Sequence, residues 1–433
     1  MRMKTLTGIL AIVTAVSAIT VCSGSVSADP GPVTGNSGDV SWVLVSSALV
    51  FIMVPGIAFF YGGMLRKQSM SSMMTQTLVA IGVMTISWVS VGYSLAFGSD
   101  GTLIGSLDCL FMNGVTENAA SGISDMEFAL FQGMFALVTA AIVLGACAER
   151  IRYTAMIWFL VVWSVLVYAP MAHWVWGGGL FDQYLVVLDF AGGTVVHICA
   201  GITGIALVLF AGPRSERVRQ SRAHNIPLAF LGCALLWVGW IGFNGGSALA
   251  ADGTAVRAVV MSMAAAGCGM MAWAAVQYLV VGRVGVLGMI AGSIAGLVGI
   301  TPAAGYVGVP ESMFIGAVAG VLCFFAVRWT KGRGRFDDAL DVFAVHGVGG
   351  IWGAIATGLF AIPALSGGKT GMIYGSVDLV VGQIIAVIGT LAYCFVISYA
   401  IIWCLSKLMR VRVTEEEELV GQDLIEHGEN AYM

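Results

Sequence analysis

Charged side chains are scarce: aspartate, glutamate, lysine and arginine make up 10% of 433 residues, where a soluble globular protein carries roughly 25%. With 58% hydrophobic residues and a mean hydropathy of +0.92, that shortage excludes a water-soluble globule and requires a polytopic membrane protein. Metal-binding patterns are missing too. Of nine cysteines, Cys147, Cys199, Cys233, Cys268, Cys323, Cys394 and Cys404 lie in or beside apolar runs without ligand spacing, Cys109 stands alone in a polar loop and Cys22 falls near the start. They read as small packing residues and supply no disulfide framework. No His-Glu-x-x-His stretch occurs, so an intramembrane metal enzyme would lack ligands; the expectation is a non-enzyme without a cofactor. The net charge of -4 says little about partners, and nucleic acid is not expected among them.

Glycine is abundant at 58 residues, as in helices packed backbone to backbone in lipid. Residues 1–28 fit a secretory signal, with Arg2 and Lys4, an apolar stretch over 6–21 and Val26-Ser27-Ala28 before Asp29; the alternative is an uncleaved first helix. Eleven hydrophobic spans of about 20 residues, the length a bilayer demands, follow over 41–64, 70–97, 127–147, 153–175, 190–210, 226–246, 255–281, 285–301, 311–329, 341–361 and 379–406. The eighth is short, with Gly288, Gly292 and Gly296 at four-residue spacing. If the mature N-terminus is outside, Arg66, Lys67, Arg150, Arg152, Arg214, Arg217, Arg219, Arg222, Arg283, Arg328, Lys331, Arg333, Arg335, Lys407, Arg410 and Arg412 all fall inside. Only Arg257 and Lys369 remain outside, as the positive-inside rule requires. The chain therefore divides into a leader over 1–28, a transmembrane domain over 29–409 and a cytoplasmic tail over 410–433. By composition the tail, with Glu415 to Glu418 in a run, is simply solvated.

Within this frame one stretch recurs. Asp189-Phe-Ala-Gly-Gly-Thr-Val-Val-His197 opens the fifth span, and Asp338-Ala-Leu-Asp-Val-Phe-Ala-Val-His346 opens the tenth with the same spacing. A histidine inside hydrocarbon is costly and is a functional candidate by default. Each closes a group of five spans, and an odd number forces the two groups into opposite orientations: an all-α fold of two five-helix inverted repeats plus a long final helix. Phe60-Tyr-Gly-Gly63 and Phe243-Asn-Gly-Gly246 close the first and sixth spans alike. Sites in such folds lie near the midplane, between the halves.

Asp189 to His197 and the following Ile-Cys-Ala-Gly-Ile-Thr-Gly204 resemble the signature of the ammonium transporter branch of the ammonium transporter, methylammonium permease and Rhesus superfamily. Also similar are Pro55-Gly-Ile-Ala-Phe-Phe-Tyr-Gly-Gly63, Ala129-Leu-Phe-Gln-Gly-Met-Phe135, Ala148-Glu-Arg150, His173-Trp-Val-Trp-Gly-Gly-Gly179, Gly239-Trp-Ile-Gly-Phe-Asn-Gly-Gly-Ser247, Thr301-Pro-Ala-Ala-Gly-Tyr306 and Asp341-Val-Phe-Ala-Val-His346-Gly. The likeness runs from about Trp42 to Tyr432. It implies a bacterial or archaeal type transporter of ammonium or ammonia, a homotrimer embedded in lipid of the inner (plasma) membrane, each subunit with its own pore. Trp176, Phe135 and Ser247 would bind ammonium, with Asp189 supporting them from behind. Phe131 with Phe135, or Phe135 with Phe243, would stack as a gate, and His197, His346, Trp240 and Thr301 would line the pore. Gly421-Gln-Asp423 and His427-Gly-Glu-Asn-Ala-Tyr432 resemble the family tail, which implies control by a PII-type signalling protein at the cytoplasmic face. Gln422 departs from the leucine usual there, and Leu340 stands where some bacterial members have cysteine. Some relatives are ammonium sensors, an alternative that usually brings an added signalling domain, for which this tail is short.

Physical chemistry supports the assignment residue by residue. Aromatic faces attract a small cation, and a hydroxyl accepts one of its protons. An apolar pore rejects bare cations but admits ammonia, which ammonium alone can become; potassium has no proton to give. Plainer readings stand beside these: Trp176 as an interface aromatic, Phe131 and Phe135 as packing one turn apart, Ser247 as a turn or cap, Asp189 as a helix N-cap. His173, His224 and His427 read as structural or surface residues.

Overall fold

The computed structural model describes residues 35–99, 101–119, 121–332 and 336–432. The expected leader over 1–28, Cys22, Arg333 and Arg335 lie outside them. Among the described residues ten helices are long and apolar enough to cross a membrane, and a shorter apolar one joins them: α1 (Ser37–Met64), α2 (Lys67–Phe97), α3 (Asp125–Ala146), α4 (Tyr153–Tyr184), α5 (Gly193–Ala211), α6 (Ile226–Gly246), α7 (Gly253–Val281), α8 (Val286–Ile300), α9 (Val309–Gly332), α10 (Phe343–Phe360) and α11 (Asp378–Leu408). They coincide with the expected spans, including the short eighth. No β-strand occurs among the described residues; a single antiparallel bridge pairs Ile151 with Arg412.

Local sequence explains where these helices begin. Asn36 accepts from Gly38 N, Ser124 and Glu127 form a reciprocal capping box, Asn225 accepts from Leu228 N, and Asp252 accepts from Thr254 N and Ala255 N, each satisfying amides that the first turn leaves unpaired. The fifth and tenth helices use the matching aspartates. Asp189 accepts from the amides of Gly192, Gly193, Thr194 and Val195 at 2.7–3.3 Å, and Asp338 from those of Val342, Phe343 and Ala344 at 2.8–3.4 Å. Each cap is followed by a π-helical turn, Gly193–Ile198 and Phe343–Gly347, that carries the histidine. The two halves thus repeat one device in opposite orientations.

The first helices of the halves, α1 and α6, cross antiparallel with backbones in contact. A Cβ on Gly232 would lie 2.2 Å from Phe60 N and 2.6 Å from Gly56 O; one on Gly63 would meet Ala229 N at 2.6 Å, and one on Gly242 would meet Ser46 O at 2.7 Å. Small residues are what permit such an approach in lipid. On the other side, α11 holds α5: Thr203 and Ser398 share a hydrogen bond at 3.1 Å, and Trp163 Nε1 donates to Thr203 at 3.0 Å.

At one end of the bundle the loops and the tail interlock. Arg66 and Arg214 both pair with Glu149 at 2.8 Å, and Arg214 with Asp337 at 2.8 Å. The tail is not merely solvated, contrary to its composition. Glu418 is wholly buried, accepting from Ser215 N and Arg412 Nη2, each at 2.8 Å. Asp423 caps the start of α2 through Ser71 N and Ser72 N, and Gln422 donates to Ile151 O at 2.9 Å. The departure at Gln422 therefore adds a hydrogen bond to the docked tail. A run of glutamates looks like a solvated tail until partners 200 or more residues away in sequence are known. Burial works against the charge of Asp337, yet Arg214 and Arg150 hold its carboxyl well below the usual range. Its contribution is complete above the ordinary carboxylate pKa and is lost only as pH falls through the depressed value.

Backbone contact at the α1–α6 crossing has a measurable consequence. Gly232→Ala should destabilise by ~1–3 kcal/mol through overpacking, seen as a lower melting temperature in detergent, whereas Gly267→Ala, where a Cβ meets nothing within 4 Å, should be neutral or slightly stabilising.

Candidate functional site

The end of the bundle opposite the tail opens into a cavity of about 310 Å3 lined by, among others, Phe128, Gln132, Phe135, Trp176, Ser247 and Tyr306. Trp176 ends the long part of α4, and its Nε1 donates to Asp189 O at 2.8 Å. All four hydrogen bonds to the Asp189 carboxylate come from Gly192 and the first residues of α5, so the side chain acts as an N-terminal cap while the backbone carbonyl of the same residue holds Trp176. Phe135 meets Trp176 edge-on, with centroids 5.9 Å apart at 84°. Ser247 caps α6 by donating to Phe243 O at 2.8 Å, which leaves its lone pairs available to accept.

Beneath the mouth the rings close. Phe135 and Phe243 lie 4.5 Å apart at 42°, whereas Phe131 meets Phe135 edge-on at 4.9 Å and 73°. All three are buried. Phe243 is therefore the ring that overlaps Phe135, and Phe131 packs where a Cβ on Gly246 would be, 2.8 Å from its ring.

His197 continues the column. Its ring runs nearly parallel to Phe243 at 5.8 Å, Trp240 at 5.6 Å and His346 at 5.2 Å. The two histidines meet through their Nδ1 atoms at 3.2 Å, one ring donating and the other accepting. Glycine makes this approach possible: a Cβ on Gly201 would lie 2.5 Å from Gly347 Cα, and one on Gly350 3.1 Å from His197 Cβ. Trp240 is held by a relay, its Nε1 donating to Thr301 Oγ1 at 3.1 Å and that hydroxyl to Leu297 O at 2.7 Å. Below the pair a gap of only about 10 Å3 is walled by Ile57, Val138, Ile142, Leu236 and Ile294 beside His346. His346 also lines a chamber of about 220 Å3, and a cavity of about 440 Å3 lies at the tail end.

Phe135, Trp176, Asp189 and Ser247 line the upper cavity, Trp240 and Phe243 stack on His197, and Trp240 and His346 line the small gap. Sequence reasoning missed Gln132 and Tyr306 in the upper cavity, although Gln132 lies three residues before Phe135 and so on its helix face. It also missed the Gly201–Gly347 contact. His173 is structural: its ring nitrogens bond Ala96 O at 3.0 Å and Gly101 O at 2.6 Å. His224 lies at the tail end between Leu65 O and the Tyr432 hydroxyl. Walls without a charge disfavour any bare cation, while the imidazoles offer hydrogen bonds to a small neutral molecule.

Comparison with known proteins gives a consistent result. The Ammonium Transporter Family matches residues 41–432. An ammonium transporter of Bacillus subtilis (strain 168) is 43% identical over 399 residues, covering 91% of this chain and 98% of that protein. One of Aquifex aeolicus (strain VF5) is 43% identical over 401 residues, covering 92% and 94%. Among solved structures, Mep2 of Candida albicans superimposes with a TM-score of 0.82 at 35% identity, covering 92% of this chain and 91% of that one. A structure named Sensor Amt Protein does so at 0.84 and 29% identity, covering 90% and 98%. The chain belongs to the ammonium transporter family.

Proposed function

We propose that ammonium is held at Trp176, Phe135 and Ser247, gives up a proton there, and continues as ammonia past Phe131, Phe135 and Phe243 and along His197, His346, Trp240 and Thr301, the proton travelling by a separate route. The observation that carries this reading is the Nδ1 contact of His197 and His346, 3.2 Å long, above an uncharged gap. The ring faces contribute roughly 0.5–2 kcal/mol to holding the cation; Asp189 acts as a positioning residue through Trp176 and the α5 amides. Potassium is held by the same faces but has no neutral form to send on.

Direction and partners follow from charge and family. The basic residues cluster at the tail end, which supports a cytoplasmic tail and an external Trp176 mouth in the plasma (inner) membrane. The upper cavity, the stacked rings and the histidine pair all come from one chain, which supports a homotrimer in which each subunit has its own pore. A PII-type protein engaging the docked tail would cover the 440 Å3 inner mouth. Sensing is the second reading, favoured by the likeness to a structure named Sensor Amt Protein.

Two measurements test these assignments. On a solid-supported membrane the reconstituted protein should give a current on addition of ammonium and none with potassium; a silent protein would favour sensing. His197→Ala with His346→Ala should abolish that discrimination, and full retention would refute the role of the pair. In a pull-down, a PII protein should bind the full chain and bind at least about tenfold more weakly after deletion of 410–433, if the tail supplies a few charged hydrogen bonds.

A further inference from the structure

The outer cavity carries a backbone feature that the ammonium site as described does not use. Five of the described residues other than glycine have a positive φ, and of these Leu249, at 56°, alone lines the cavity of about 310 Å3 that holds Trp176, Phe135 and Ser247. A left-handed backbone brings the Cβ of an L-residue against the neighbouring carbonyl, so glycine is the default there. Glycine is plentiful in this chain, and eleven described glycines do take positive φ. Residue 249 instead keeps an isobutyl group, half-buried and packed against the hydrophobic core. Strain of this kind gathers at ligand sites.

Contacts from α1 keep the strained turn in place. Leu249 belongs to the short link Ser247-Ala-Leu-Ala-Ala-Asp252 between α6 and α7. Before it, Trp42 Nε1 donates to Gly245 O at 3.1 Å, and Leu249 N donates to Gly246 O at 2.8 Å. After it, the buried Asp39 accepts from Ala251 N at 2.8 Å, and Asp252 caps α7 through Thr254 N and Ala255 N. The link is tied on both sides of residue 249. The chemistry of the cavity then says what the side chain is for. Ring faces hold alkylated ammonium ions as well as ammonium itself, as the aromatic cages for methylated amines do, and an added methyl group is at home against apolar walls. Rings and a hydroxyl therefore give the unsubstituted ion no preference; only space can.

We infer that Leu249 is a specificity-determining residue of the outer mouth: held in its left-handed turn by α1, it fills the room that an N-alkyl group would need beside Trp176 and Ser247, so that ammonium fits and its alkylated forms are disfavoured. Glycine at this position would make the same turn without strain and leave the room open. Asp39 is a positioning residue, acting on the ion through the link that carries Leu249. This inference rests on the proposed function and deepens it, because it names which ions of one charge and one hydrogen-bonding class the mouth accepts.

The test is a ratio. Currents of the reconstituted full chain on a solid-supported membrane give half-saturating concentrations for methylammonium and for ammonium, and the first is divided by the second. In Leu249→Gly this ratio should fall about tenfold, the low end of what one methylene is worth in an apolar pocket; a methylammonium current that the wild type lacks counts as such a fall. Leu249→Met, of similar volume, should keep the wild-type ratio. Asp39→Ala, which frees the link without removing the leucine, should lower the ratio too, and should lower it no further when added to Leu249→Gly, as expected of two changes acting through one contact. An unchanged ratio in Leu249→Gly, or an equal fall in Leu249→Met, would overturn the inference; an unchanged ratio in Asp39→Ala would overturn the part played by the turn. A wild-type chain that gives no current with ammonium refutes the proposed function instead.

Discussion

His197 and His346 face each other nitrogen to nitrogen, 3.2 Å apart, and the small gap that His346 lines has no charged group in its walls. Only one proton fits in that contact. A second would set two positive rings against each other in surroundings where Coulomb repulsion is several times stronger than in water. The pair is therefore held as one donor and one acceptor, and His197 Nε2, buried and unpartnered, is left to meet whatever passes. Everything else in the bundle serves to bring two helices close enough for this. Gly201 against Gly347 sets the crossing, Gly350 opens space for the His197 ring, and Trp240 with Phe243 fixes its plane.

Placing a histidine at the same depth from each side requires two helices that begin inside the protein. A helix start leaves amides unpaired, and in lipid no water is at hand to satisfy them. Asp189 and Asp338 solve this identically, each carboxylate collecting three or four amides and complementing the positive end of the helix dipole. The eight-residue spacing from aspartate to histidine is thus a ruler: it measures from the capped end to the pore axis, once in each half. A single shared solution is what an inverted repeat produces, and it explains why two rings from distant sequence arrive in register.

That ruler was readable in the residues because both of its ends are chemically conspicuous in an apolar chain. The helix count was readable for the same reason, with polar caps such as Asn36 and Asp252 punctuating long apolar runs. Other features left no such trace. Which phenylalanine overlaps Phe135 depends on the tilt of α6 against α3, not on spacing, so Phe131 and Phe243 could not be told apart. Glu418 sits in a run of four glutamates, and only its contact with Ser215 and Arg412 separates it from its neighbours. Periodicity encodes faces and lengths, whereas contacts between segments hundreds of residues apart need the fold.

The tail and the pore share one ionic network. Glu418 binds the amide of Ser215; the neighbouring Arg214 grips Asp337; and Asp337 adjoins Asp338, whose carboxylate starts the His346 helix. Arg150 reinforces this chain of contacts from the turn after α3, reaching Asp337 at 3.5 Å and donating to the carbonyls of Gly212 and Ala146. Lifting the tail takes Glu418 off the amide of Ser215 and Arg412 off the carbonyls of Ala211 and Pro213, at a cost of about 1–3 kcal/mol for each buried group left unpaired. The Asp338 carboxylate fixes the first turn of the helix that carries His346 eight positions on, so the docked tail and the histidine pair lean on the same short stretch of chain.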